Sequence, residues 1–140
     1  MNRFLLSGGT FSILVALLHV AIILGGPDWY RFWGAGEQMA KLEENGSLLP
    51  DIVTFFLVVI FLIWGLYAYS GAGLVKRLPL LKTGLVVISS IYTIRGLLLV
   101  TFIFRPEQLT SFILWTSIVS LIAGLIHFIG TKQVWAEIPK

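Results

Sequence analysis

Four stretches of the sequence are apolar over the length that a helix needs to cross a lipid bilayer, which is about 20 residues. They lie at about residues 4–24, 50–70, 83–104 and 109–129. Turn-forming residues follow the first two stretches, at Gly25-Gly26-Pro27 and Gly71-Ala72-Gly73. Hydrocarbon offers no hydrogen bonds to the backbone, so a segment that crosses it satisfies its own N–H and C=O groups as a helix. The pattern predicts an all-α, integral membrane four-helix bundle, left-handed, that forms a single domain over residues 1–140.

The composition agrees with a membrane protein and excludes several function classes. Hydrophobic residues make up 57% of the chain and charged residues 12%, whereas a soluble domain has about 45–50% and about 25%. The sequence contains no cysteine, which excludes a disulfide framework, a thiolate metal site and dithiol redox chemistry. The pI is about 9.5, but the Lys and Arg residues are scattered at the ends of the apolar stretches. They form no basic patch of the kind that binds nucleic acid.

The distribution of basic residues predicts the orientation of the bundle. Six fall on the side of the amino terminus, namely Arg3, Lys76, Arg77, Lys82, Lys132 and Lys140. Three fall on the opposite side, namely Arg31, Lys41 and Arg105. Because loops rich in Lys and Arg stay in the cytoplasm, we expect both termini to be cytoplasmic. We interpret the chain as an integral protein of the bacterial inner (plasma) membrane, surrounded by the lipid bilayer.

The first outer loop is predicted to carry a short amphipathic helix at about residues 35–45. Apolar residues fall on one side of this helix and charged residues on the other: Ala35, Met39 and Leu42 against Glu37, Lys41 and Glu44. Such a helix lies in the membrane interface. An aromatic cluster precedes it and fits the same level, namely Trp29, Tyr30, Phe32 and Trp33.

Glu37 has two interpretations. It can form an i,i+4 pair with Lys41 on a solvated helix face. Alternatively, Gly34 and Gly36 let the loop dip into the mouth of the bundle, where Glu37 is a counter-ion for Arg95.

The two histidines lie at different depths. With the predicted topology, His19 is in the outer half of the first span and His127 is close to the inner end of the fourth. A single haem needs two axial ligands that face each other at one depth, so this pair is badly placed for it. The sequence also lacks the HExxH spacing of zinc sites. No cofactor is assigned, and His127 is expected to bond Thr131 or a backbone carbonyl.

Arg95 is the residue that the apolar pattern leaves unexplained. It lies nine residues from Phe104 and twelve from Thr83, about 13 Å and 18 Å from the two ends of the third span. A central arginine costs about 2.5–3.5 kcal/mol on insertion scales, so it usually faces a bundle interior, an aqueous cavity or a partner. No acidic residue lies at its depth in any span.

The groups that we expect around Arg95 make up the predicted ligand-binding site. The residues of this site are Arg95, His19, Tyr92, Glu37 and Asp51. The alternative is that Arg95 only ties spans together through hydroxyls and carbonyls.

Three functions follow from these residues. The first is a small membrane protein with an outward-facing polar pocket around Arg95, which binds an anionic or amphiphilic small molecule such as a lipid or quinone. The second is an accessory or assembly subunit that contacts a partner membrane protein and has no ligand of its own. The third is a membrane-embedded enzyme in which His19 or Glu37 is the base and Arg95 stabilises negative charge. Homo-oligomerisation through small-residue helix faces stays open.

Overall fold

The computed structural model describes residues 1–138, which are largely helical and contain no strand. The helices follow in the order α1 (Arg3–Gly25), α2 (Pro27–Phe32), α3 (Glu37–Glu44), α4 (Leu49–Ala72), α5 (Leu81–Leu97) and α6 (Ser111–Val134). Two 3₁₀ segments, Leu98–Ile103 and Pro106–Gln108, lie between α5 and α6. Four helical segments are long and apolar enough to cross a membrane: α1, α4, α5 with its first 3₁₀ segment, and α6. The predicted fold class, an all-α bundle of four apolar helices, is confirmed.

The third span differs from a continuous α-helix. Its α-helical part ends at Leu97, and the chain continues as a 3₁₀ helix over Leu98–Ile103. β-Branched residues lower the α-helical propensity of this segment, and Pro106 disfavours a helix at the residue before it. Arg95 therefore lies in the last turn of an α-helix, where a positive charge interacts favourably with the exposed carbonyl groups.

The fourth span begins and ends later than the sequence pattern predicts. α6 begins at Ser111 because Thr110 is its N-cap, whose hydroxyl accepts a hydrogen bond from the Ile113 amide at 3.2 Å. It continues to Val134, with Lys132 in its last turn. The basic side chain favours this extension through the helix dipole.

The first loop forms two helices where one was predicted. The aromatic segment folds as α2, with Pro27 in the first turn, where its missing N–H costs nothing. Gly34 and Gly36 both adopt positive φ angles and turn the chain into α3. The amphipathic helix predicted at 35–45 corresponds to α3.

The contacts of the chain divide into two compact units. One contains Met1–Phe11 together with the chain from Trp64 onward, and the other is Ser12–Ile63. We call them the α5–α6 unit and the loop unit. The single domain predicted from the sequence stays a prediction.

Close helix packing defines the α5–α6 unit. A Cβ atom at Gly96 would lie 2.7 Å from the backbone nitrogen of Leu121 and 2.8 Å from the carbonyl oxygen of Ser117. A Cβ at Gly124 would lie 2.9 Å from the backbone nitrogen of Thr93. Small residues thus bring the two backbones together, as in other membrane bundles. An apolar cluster that includes Leu5, Leu81, Leu85 and Val134 is buried at the end where α5 begins.

The loop unit has its own small core. Tyr30 of α2 and Ala40 of α3 pack against Ile22 of α1, and all three are buried. Partly buried Leu18 and Trp33 complete the cluster. The aromatic segment was predicted to lie at the headgroup level, but Tyr30 is only 1% exposed. It is a core residue of this unit.

We expect Gly96→Ala to reduce the free energy of unfolding by about 1–3 kcal/mol, because the added methyl group meets backbone atoms that cannot move aside. SDS titration in mixed micelles, followed by circular dichroism, measures this change. Leu97→Ala is the matched control, since Leu97 is 51% exposed and its truncation leaves helix packing intact. Equal stability of the two variants would show that α5 and α6 are not closely packed.

Candidate functional site

Arg95 reaches from α5 to α6 and bonds only neutral groups. Its Nη1 donates to the Ser117 hydroxyl at 3.2 Å, and its Nη2 donates to the Thr116 hydroxyl at 3.3 Å. The close approach of α6 at the neighbouring Gly96 brings Ser117 within this distance. Among residues 1–138, Arg95 forms no ion pair. A hydrogen bond from a charged donor to a hydroxyl leaves the charge of the donor unneutralised.

The Arg95 side chain is exposed on the surface of the molecule. Its neighbours on the same side of this span are the apolar residues Ile91 of α5 and Leu98 of the 3₁₀ segment, which are 44% and 49% exposed. Ile94, beside Arg95 in the chain, is 59% exposed. The guanidinium therefore emerges through an apolar helix face. We call this surface, formed by Ile91, Ile94, Arg95 and Leu98, the Arg95 face.

Tyr92 is buried at the centre of an aromatic cluster rather than on the Arg95 face. Its ring lies 5.9 Å from that of Phe11, 5.0 Å from that of Trp64 and 5.3 Å from that of His127. Only 4% of Tyr92 is exposed. Its main contribution in this unit is aromatic packing.

His127 is fully buried beside Tyr92. Its Nδ1 donates to the Ala123 carbonyl at 2.8 Å, so the neutral ring presents Nε2 as an acceptor. Within the described residues, Nε2 has no hydrogen-bond partner. Thr131 is not its partner, whereas the predicted bond to a backbone carbonyl is present. A Cβ at Gly8 would lie 2.9 Å from Nε2. The ring is therefore enclosed by α1 and Tyr92, with no space beside it for a bulky ligand.

His19 lies in the loop unit and is half-buried. Its Nδ1 donates to the Val15 carbonyl at 2.7 Å, and its ring lies 5.1 Å from that of Phe61. Because a carbonyl only accepts, this bond selects the tautomer in which Nε2 carries a free lone pair. His19 is thus suited to accept a hydrogen bond.

Glu37 belongs to a cluster of charges around Arg31 in the loop unit. Arg31 Nε donates to Glu37 at 2.7 Å, and the other guanidinium nitrogens bond Glu44 at 2.7 Å and Asp28 at 3.1 Å. These hydrogen bonds raise the pKa of Arg31, and the bond from Arg31 lowers the pKa of Glu37. Lys41 lies 4.0 Å from Glu37, as the i,i+4 interpretation predicts. We call these four residues, Asp28, Arg31, Glu37 and Glu44, the Arg31 cluster.

Asp51 lies in the first turn of α4, where a negative charge is favoured by the helix dipole. It accepts a hydrogen bond from the Tyr30 hydroxyl at 2.9 Å. Burial is the main reason why the pKa of Tyr30 is raised to about 12, with the charge of Asp51 adding to it. Tyr30 therefore stays protonated and ties α2 to α4.

Glu43 is a second carboxylate near Asp51 and was not predicted from the sequence. Its Oε2 is buried and has no hydrogen-bond partner among residues 1–138. Burial raises the pKa of Glu43, and the charge of Asp51 raises it further. The sequence gives no signal for this, because an acid at position 43 of an amphipathic helix reads as solvated.

The predicted site residues are divided between the two units. Arg95 and Tyr92 belong to the α5–α6 unit, whereas His19, Glu37 and Asp51 belong to the loop unit. Within its own unit, each has the partners described above. Their common role in ligand binding stays a prediction.

The cavities that the described residues form on the α5–α6 unit include three that Arg95 does not line. Their volumes are about 620, 390 and 230 Å³. The largest is a groove between α5 and α6, and the other two are lined by residues near the ends of helices, including Lys76, Arg77 and Lys82. In the part of the chain that the structure describes, no group of three or more His, Asp or Glu side chains is arranged to hold a metal ion.

No protein-family model, no curated protein and no solved structure matches this chain.

We expect Glu43→Gln to stabilise the protein at neutral pH. A carboxyl group with a raised folded-state pKa contributes its full stability below the ordinary Glu pKa, and this contribution is lost as the pH rises through the raised value. Glutamine has no such loss, so the thermal midpoint of the variant should exceed that of the parent increasingly as the pH rises. Thermal unfolding in detergent from about pH 4 to pH 8 measures this difference.

Glu107→Gln is the control for this series, because Glu107 is exposed and its substitution should leave the pH dependence unchanged. The lowered pKa of Glu37 also makes the stability depend on pH. This contribution is the same in the parent and in both variants, so it cancels in the comparison. A Glu43→Gln variant that is less stable than the parent at neutral pH would mean that Glu43 makes a favourable interaction as an anion.

Proposed function

We propose that this chain is an accessory or assembly subunit of a larger membrane complex, in which an acidic side chain of a partner membrane protein pairs with Arg95. The observation that carries the proposal is that Arg95 is exposed on a membrane-spanning helix and bonds only two hydroxyl groups. A guanidinium in this position is incomplete without an anion from outside the part of the chain that the structure describes.

The depth of Arg95 in its span supports this proposal. Two α-helical residues and the six residues of the 3₁₀ segment separate it from the end of the span at Ile103, which corresponds to about 15 Å. An arginine side chain cannot easily reach water over this distance. Left in contact with lipid it costs about 2.5–3.5 kcal/mol on insertion scales, and a partner that supplies a carboxylate at the same depth removes this cost.

The surroundings of Arg95 favour a helix over a small molecule as the source of the anion. Arg95 lines none of the three cavities, whereas the Arg95 face is an exposed apolar surface with one charge in its middle. Another membrane helix can pack on such a face and neutralise the charge. A second copy of this chain lacks an acid inside its spans at that depth, so we favour a different protein as the partner.

The second candidate is a binding protein for an anionic or amphiphilic small molecule. It is favoured by the two hydroxyl groups of Thr116 and Ser117 beside the guanidinium. Together these groups offer several donors to a carboxylate or phosphate. In this case the outward-facing pocket predicted from the sequence forms around the bound molecule.

An enzymatic function has less support. The lowered pKa of Glu37 makes it a poor general base, because its carboxylate is already held by Arg31. We also propose the location that the basic residues indicate, the bacterial inner membrane with both termini in the cytoplasm.

Purification of the protein in a mild detergent, followed by native mass spectrometry, tests the proposal. We expect the parent to retain a second protein, and Arg95→Gln to retain at least tenfold less of it, since loss of one partner of a buried charge pair costs about 2–5 kcal/mol. Arg95→Lys should retain an intermediate amount, because the charge is kept while the planar donor pair is lost.

Arg105→Gln is the matched control, since Arg105 is an exposed arginine beyond the span. A small molecule in place of a protein, lost in Arg95→Gln, would favour the second candidate. Equal recovery of any bound component by parent, Arg95→Gln and Arg105→Gln would contradict both.

A further inference from the structure

The groove between α5 and α6 shares Ile94 with the Arg95 face but has a different chemistry. Its volume is about 620 Å³, and Arg95 is not among its lining residues. Val86 and Ile94 of α5 and Phe128 of α6 give it apolar walls. From Val86 to Ile94 it follows α5 for about 12 Å. This length of apolar groove suits an alkyl chain.

One end of the groove is polar and basic. Lys132 and Trp135 line it near the end of α6. Lys82, near the start of α5, places its Nζ 4.9 Å from the centre of the Trp135 ring. Two ammonium groups are thus brought together by the antiparallel arrangement of α5 and α6, and an anion at this end would be attracted by both.

Thr131 provides a second, independent indication of a ligand. It is 5% exposed and lines the groove, and its Oγ1 has no hydrogen-bond partner among the described residues. The other buried or half-buried hydroxyls of the groove are satisfied, because Ser89 donates to the Leu85 carbonyl and Thr93 to the Ser89 carbonyl. The unpaired hydroxyl group therefore lies one residue from Lys132, at the polar end.

We infer that this groove binds an anionic phospholipid of the adjacent leaflet, with one acyl chain against Val86, Ile94 and Phe128 and the phosphate beside Lys132 and Lys82. Thr131 then donates its hydroxyl hydrogen to an ester oxygen of the lipid. The basic end is the one that the distribution of Lys and Arg assigns to the cytoplasm. The cytoplasmic leaflet is rich in anionic lipids, and basic pockets between helices on that side bind their headgroups.

The charges around the polar end of the groove also favour an anionic headgroup. The smallest cavity lies at this end and is lined by Arg77 and Lys82, with no acid among the described residues that line it. A zwitterionic headgroup gains less from this excess of positive charge than an anionic one does. Trp135 is 46% exposed, as an aromatic residue at the membrane interface is expected to be.

Native mass spectrometry of the purified protein, titrated with phosphatidylglycerol or with phosphatidylcholine of the same acyl chains, tests this inference. We expect phosphatidylglycerol to bind more tightly, and Lys132→Gln to weaken it about fivefold while weakening phosphatidylcholine less, because the choline group already balances the charge of its phosphate. Thr131→Val, which keeps the side-chain volume, should weaken both lipids. Lys76→Gln is the control, since Lys76 lies at the same end but outside the groove.

A variant that fills the groove without changing its charge tests whether the lipid binds in the groove itself. Ser90→Trp places a large side chain in the groove from an exposed position and should abolish retention of phosphatidylglycerol. Three results would overturn the inference: equal affinity for the two lipids, equal weakening by Lys76→Gln and Lys132→Gln, or full retention in Ser90→Trp. The last result would indicate that the groove binds a helix of a partner protein and not a lipid.

Discussion

A guanidinium cannot lose its proton in a protein, so an arginine that is held away from bulk water needs another group to stabilise its positive charge. In the loop unit this requirement is fulfilled internally. Arg31 is bonded by Asp28, Glu37 and Glu44 at distances of 2.7–3.1 Å. These bonds hold α2 and α3 in place, and with them Tyr30, whose hydroxyl group fixes α2 to the start of α4.

Arg95 shows the opposite arrangement. It lies on a helix long and apolar enough to cross a membrane and is exposed, and its only hydrogen-bond partners in the part of the chain that the structure describes are two hydroxyl groups. An isolated charge is far more costly in hydrocarbon than at the surface of a loop. Among residues 1–138, Arg95 has the greater need for an anionic partner and has none, whereas Arg31 in the loop unit has three. This contrast is the physical basis for an external anion at Arg95.

The four apolar helices could be predicted from the sequence because the bilayer imposes a length and a composition on any span. For the same reason Arg95 could be recognised as a charge inside the third span. Helix ends were less predictable: the 3₁₀ segment after Leu97 and the extension of α6 to Val134 depend on local propensity and capping, which an apolar run does not reveal. The partners of Glu37 were predicted only in part. Its pair with Lys41 follows from helical spacing, whereas its stronger bond to Arg31 depends on how α2 and α3 are turned toward each other. The burial of Tyr30 and Glu43 likewise depends on how α2 and α3 pack, which helical spacing does not reveal.

The most direct test of the external anion is site-specific photo-crosslinking in living cells from Leu98, one turn from Arg95 on the Arg95 face. The chain has no cysteine, so a photoreactive group attached to a cysteine introduced at Leu98 reacts at one position only, and Leu125, 55% exposed on α6, serves as the reference position. Pairing of Arg95 with a partner protein predicts a discrete protein adduct from Leu98 that disappears when Arg95 is changed to Gln, with no such adduct from Leu125. Lipid adducts alone from both positions, unchanged by Arg95→Gln, would contradict it.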